Sequence, residues 1–186
     1  MNRMACLAIS VVVLLGSAAP SLAAVDAVWR QHELTIGYQG FTTSYSCQGL
    51  KNKVKSLLLY FGARKEGLKV SAYGCAAGPY RPVPAVNLKL VFETLAPAEA
   101  GASGVVPAKW VERNLFPQKK VQQAAPQYIT RGDCEVVERF SALVMPSFAH
   151  ETLQDLTTCI PYRFGGTMPN LREKVLVPAD TPAPPV

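Results

Sequence analysis

Two stretches of this chain share the same punctuation: a cysteine at the start of an amphipathic helix, and a second cysteine after the short β-like segment that follows. The first is "CQGLKNKVKSLLLYFGARKEGLKVSAYGC", from Cys47 to Cys75, and the second runs from Cys134 to Cys159. A crosslink closing a loop of about 25–30 residues removes roughly 3–4 kcal/mol of chain entropy from the unfolded state. Few folds accommodate two such staples, so this pattern restricts the architecture more than any other feature.

Whether the cysteines crosslink depends on the compartment, and the N-terminus addresses that. Arg3 precedes an unbroken apolar run from Ala5 to Gly16, and Ser21-Leu22-Ala23 forms a small-residue cleavage site, the layout of a secretory leader. A membrane anchor would need about 20 apolar residues, whereas this run is shorter and is followed by Pro20. Cleavage after Ala23 or Ala24 removes the signal peptide 1–23 together with Cys6, leaving four of the five cysteines. A lipoprotein would need a cysteine directly after the cleavage site. The expectation is a mature protein without a membrane span, periplasmic or secreted, with Cys47, Cys75, Cys134 and Cys159 in two disulfides.

Three connectivities are open, and the helix pattern chooses among them. Leu50, Val54, Leu57, Leu58 and Phe61 form one apolar helix face, with Lys51, Lys53 and Lys55 turned to solvent. Ser46 can cap this helix and Gly62 can end it. "LKVSAYGC" reads as the strand that follows, and Leu34, Ile36 and Tyr38 alternate in a preceding one. In a β-α-β unit with parallel strands, the helix N-terminus and the far end of the second strand meet at one edge. Cys47 therefore pairs with Cys75.

The second stretch repeats the order. Asp133 precedes Cys134, Val136, Val137, Phe140, Leu143 and Val144 mark a helix face, and Pro146 ends it. After each closing cysteine come Pro-Tyr-Arg (79–81 and 161–163), a proline, an Asn-Leu pair (87–88 and 170–171) and an alternating strand. Such self-similarity predicts an internal duplication, with Cys134 paired to Cys159. The expected fold class is α+β: two β-α-β-β repeats with helices at about 47–61 and 134–144 packed on a mixed sheet. Residues 24–177 form one domain, with repeat one at about 33–95, a connector at 96–108 and repeat two at about 109–177. "KWVERNLF" or "QQAAPQYIT" supplies the first strand of repeat two, and "FAHETLQDLTT" its later strand, although that segment also suits a short helix. Residues 178–186, rich in Pro and Ala, are expected to be a disordered or extended tail.

The segments "YSCQGLKNKV", "LLLYFGAR", "LKVSAYGC" and "DCEVVERF" resemble a set of uncharacterised exported proteins of proteobacteria. That resemblance spans most of the mature chain and implies export from a Gram-negative cell; it brings no activity with it.

The formal charge is +6, and it is uneven. Residues 24–93 carry nine Lys/Arg against four Asp/Glu, and residues 94–186 carry nine against nine. A basic half suits either a solvated face or an anionic partner such as an envelope component or an acidic protein; a nucleic-acid partner is not expected. With only His32 and His150 as histidines, no histidine-rich metal site is expected, and no cofactor-binding or catalytic motif appears. A thiol nucleophile at Cys47 or Cys134, with His150 as base, is the sharpest enzymatic alternative. Arg131-Gly132-Asp133 spells an adhesion motif, but a turn at Gly132 and a helix cap at Asp133 account for it. Trp29 and Trp110 suit packing or ligand stacking. Tyr80-Arg81 and Tyr162-Arg163 either pack under their turns, with the arginine as cover, or stack on and grip an anionic ligand. The reading is a non-catalytic exported binding module, with a small secreted hydrolase or enzyme inhibitor as the alternative.

Overall fold

The Ser46 hydroxyl accepts a hydrogen bond from the Gly49 N–H at 3.0 Å, satisfying one of the free donors of the first helical turn. Helix α1, Cys47–Tyr60, follows and buries Leu50, Val54, Leu57 and Leu58. Helix α2, Cys134–Leu143, buries Val136, Val137 and Phe140. Two of its residues depart from the periodic reading: Leu143 is 42% exposed, and Glu135 is buried. The structure is a computed structural model describing residues 24–41, 43–75, 78–117, 128–160 and 169–182. The leader, Tyr162 and Arg163 lie outside the described residues.

The strands are β1 (Val25–Gln39), β2 (Tyr45–Ser46), β3 (Lys69–Tyr73), β4 (Pro82–Val83), β5 (Ala85–Pro97), β6 (Val106–Pro117), β7 (Tyr128–Ile129), β8 (His150–Leu156) and β9 (Asn170–Pro178). Six form a sheet in the order β3-β5-β1-β6-β9-β8, antiparallel at every step. The mixed character expected of this sheet is confined to β7, which pairs with β6 in a short parallel ladder, while β2 and β4 form a separate ribbon. The fold is α+β, stapled by Cys47–Cys75 and Cys134–Cys159, whose Cα atoms lie 6.1 and 5.8 Å apart. β1 and β3 run parallel as the pairing argument requires, but β5 lies between them; β6 and β8 are likewise separated by β9.

The two halves share the order long strand, helix, strand, strand, the strand order within the sheet, and the register of their central ladder, although β8 carries a register shift that β3 lacks. Moving the pair Ala27↔Pro97 along by 81 positions gives Ala108↔Pro178, and Leu34↔Leu90 becomes Leu115↔Leu171. The same step carries Trp29 to Trp110 and Leu95 to Leu176. It also carries the bond from Ala98 N–H to Asp26 O, 2.8 Å, to that from Ala179 N–H to Pro107 O, 3.0 Å. The Asn-Leu pairs are not equivalent, because Leu171 matches Leu90 rather than Leu88. The signal that does match is Leu95-Ala96-Pro97-Ala98 against Leu176-Val177-Pro178-Ala179.

Several expected boundaries move. β1 begins at Val25 rather than near residue 33, and β5 and β6 extend into the expected connector. The "KWVERNLF" segment supplies the first strand of the second half, and "HETLQDL" is a strand with a register shift between Thr152 and Gln154. β9 runs to Pro178, and Ala179 and Thr181 donate backbone hydrogen bonds, so the tail is ordered to that point.

Both helices join one core with β5 and β9. Phe61 stacks on Phe140 at 5.5 Å, and Phe148 lies 6.4 Å from Phe61 and 6.0 Å from Phe92. Burying each such ring stabilises by about 1.5–3 kcal/mol. A second, smaller cluster of Ala27, Leu95, Ala108 and Leu176 packs against the half-buried Trp29 and Trp110.

Gly62 has a φ of +103°, and a Cβ there would lie 2.7 Å from Val177 Cγ1. Gly67, at +76°, has open space around it. Gly67→Ala should cost about 1 kcal/mol of unfolding free energy from backbone strain alone. Gly62→Ala should cost roughly 2–4 kcal/mol because overpacking adds to the strain. Urea unfolding of both variants checks the difference.

Candidate functional site

A buried polar joint sits where the starts of the two helices converge. Asp133, in the short 3-10 turn before α2, does not cap that helix with its side chain. Its carboxylate, 3% exposed, instead accepts from the Tyr45 hydroxyl, from Lys53 Nζ at 3.0 Å, and from Thr130 N–H and Oγ1 at 2.6 and 3.0 Å. Burial pushes the Asp133 carboxyl up to about 6, against the pull of the Thr130 N–H, and pulls the Lys53 ammonium down. Tyr38 donates to Thr43 O at 2.7 Å and meets Tyr45 edge-on. Burial, then the charges of Glu135 and Asp133, hold its hydroxyl well above the usual tyrosine range. Phe41 N–H donates to Glu135 at 3.0 Å. Gly132 is needed for close approach: a Cβ there would strike the Thr43 hydroxyl at 2.4 Å.

This joint bears on the expectation that Lys51, Lys53 and Lys55 are all turned to solvent. Lys53 is not fully turned to solvent: its half-buried ammonium pairs with the Asp133 carboxylate. Lys55 is exposed and Lys51 half-buried on α1. Tyr80 does not pack under its turn. It is 79% exposed, beside an exposed Arg81, and Pro79 O accepts from Gln48 N–H at 2.9 Å to hold the turn against the start of α1.

A groove opens at the far end of β1. Tyr73, Asn87 and Gly37 stand in one row across β3, β5 and β1. With Gln39, and with Arg139 and Leu143 from α2, they line a cavity of about 420 Å³. The ring of Tyr73 is 54% exposed, and Arg139 is an exposed cation with no ion pair among the described residues. Lys69, Ser71 and Tyr73 alternate outward on the same face of β3. Sequence reading missed this groove. An aromatic at an outward strand position was the available signal, whereas placing Arg139 beside it required α2 to pack on β1.

The other reactive groups have partners within the fold. Cys47 and Cys134 are both disulfide-bonded, so neither is a thiol nucleophile. His32 Nε2 lies 2.9 Å from the Thr94 hydroxyl, and burial, then Arg30, pull its pKa down. His150 Nδ1 lies 3.0 Å from Phe148 O. Among the described residues, no three His, Cys, Asp or Glu side chains converge as a metal site, and no helix is long and apolar enough to cross a membrane. No protein-family model, curated protein or solved structure matches this chain.

Lys53→Gln should lower stability by about 1–3 kcal/mol at pH 7.5 by stranding the buried carboxylate. The loss should shrink at pH 5, where Asp133 carries its proton. Lys51→Gln and Lys55→Gln should change stability by no more than about 0.5 kcal/mol. The Asp133 carboxyl titrates near 3.8 unfolded and near 6 folded. Its contribution is thus complete below about pH 4 and is lost as pH rises through 6. Asp133→Asn should remove that slope from urea-unfolding stabilities measured between pH 4 and 7.5.

Proposed function

We propose that the chain is an exported, non-catalytic binding module built on a duplicated β-α-β-β unit, and that it holds an anionic, hydroxyl-rich envelope polymer. The leader-like N-terminus and the two disulfides support a periplasmic or secreted location. The common register of the two halves supports the duplication. The observation that carries the binding reading is the groove of about 420 Å³ lined by an exposed Tyr73, the amides of Asn87 and Gln39, and Arg139. An exposed ring offers a stacking face for a sugar, the amides suit its hydroxyls, and a guanidinium matches a carboxylate or phosphate substituent. Lys69 lies four residues from Tyr73 on the same face, about 13 Å along the strand, so an extended chain lying on β3 meets a second cation. Lys51, Lys55 and Arg81 add positive potential elsewhere on the first half.

Retention on immobilised polygalacturonate, lipopolysaccharide and neutral dextran tests the reading. The protein should bind the anionic polymers, release them with rising salt, and ignore dextran. Tyr73→Ala and Arg139→Gln should each weaken retention about tenfold, a loss of roughly 1.4 kcal/mol, without changing the melting temperature. Wild-type retention by both variants, or no retention of any polymer, overturns the proposal, and turnover of a polymer would favour the hydrolase alternative.

A further inference from the structure

Arg113, on β6, is 6% exposed, and its Nε is buried with no hydrogen-bond partner. The guanidinium lies over the Tyr60 ring at 5.3 Å. No ion pair joins it to its buried ladder neighbour Glu173, whose Oε1 accepts from the Thr152 hydroxyl at 3.0 Å while its Oε2, like Arg113 Nε, has no hydrogen-bond partner. A buried guanidinium without a counter-charge is strongly disfavoured unless something supplies one. Burial also pulls its pKa down, while the nearby Tyr60 opposes that shift.

Arg113 lines a cavity of about 200 Å³ with Trp29, Leu59, Arg64, Lys65 and the carboxylate-bearing Glu66. Arg64 is engaged by Glu93 at 2.9 Å and stacks over Trp29 at 5.5 Å. Lys65 is exposed and forms no ion pair among the described residues. The cavity thus combines Arg113, whose buried Nε has no hydrogen-bond partner, with an indole and aliphatic wall, and the Glu66 carboxylate in its lining pairs with Arg64 Nε at 3.7 Å. Its volume is several times the roughly 30 Å³ that one water occupies. We propose that this cavity binds a small oxyanion, carboxylate or phosphate, carried on an apolar body, with Arg113 as the bidentate donor and Trp29 as the apolar wall. The site is independent of the Tyr73–Arg139 groove, which begins eight residues further along β1 at Gly37, about 26 Å away at strand rise.

Calorimetry and thermal unfolding of the purified protein with benzoate, phenyl phosphate, inorganic phosphate and neutral benzyl alcohol test it. Benzoate or phenyl phosphate should bind saturably and raise the melting temperature, and the stronger of the two identifies the oxyanion. Inorganic phosphate should bind more weakly and benzyl alcohol not at all. Arg113→Lys should weaken binding at least tenfold. Arg113→Met should abolish it while leaving the ligand-free protein as stable as wild type or more so, and Glu173→Gln should leave binding unchanged. The proposal fails if neither aromatic anion binds or if Arg113→Met binds as wild type does. It also fails if Arg113→Met and Glu173→Gln destabilise the ligand-free protein equally, which would make Glu173 the partner of Arg113.

Discussion

An aromatic core packs the two halves against each other. The ladder joining them, between β1 and β6, has only three residue pairs, Val25↔Ala108 to Ala27↔Val106, and each disulfide closes within its own half. Phe61 from the first half must therefore meet Phe140 and Phe148 from the second, and Phe92 must meet Phe148. The hydroxyl of Thr94 extends this contact into the backbone by donating to Ser147 O at 2.7 Å. Where β6 has left β1, the Tyr60 hydroxyl both donates to Asn114 O and accepts from Asn114 N–H. One side chain thereby satisfies backbone groups that a neighbouring strand would otherwise take.

A half-buried cation, Lys53, and a buried one, Arg113, meet the same electrostatic problem differently. Lys53 and Asp133 supply one another's counter-charge, and Tyr45 and Thr130 complete the carboxylate's hydrogen bonds. A burial penalty offset in this way favours one arrangement of the two helix starts. Arg113 lies over the face of Tyr60 and its buried Nε has no hydrogen-bond partner, and a ring quadrupole is a weak substitute for an anion. That contrast separates a polar group that belongs to the fold from one whose partner comes from outside it.

Much of the fold was legible in the sequence because its signals are local. Helix periodicity placed Leu50, Val54, Leu57 and Leu58 inward, and the order cap, helix, strand, cysteine paired both disulfides. Strand boundaries were less legible. Val25, Ala27 and Trp29 face the minor cluster while Ile36 and Tyr38 face the main core, so β1 shows no single continuous alternation. The candidate sites were largely invisible for a related reason: Tyr73 and Arg139 come from different halves, and Arg113 and Trp29 from different strands.

The sequence alone determined the α+β class, the two helices and the two crosslinks, because periodicity, capping and cysteine order act between residues close along the chain. The tertiary structure decided which charges are free. Lys53 and Lys55 are two residues apart on one helix, yet only the approach of the turn carrying Asp133 consumes the first and leaves the second in water. The same holds for Arg113, which reads as an ordinary polar position in "KWVERNLF" until α1 lays Tyr60 over it. Solvation and counter-charge depend on what packs against a side chain, and that is set by contacts between segments far apart in sequence.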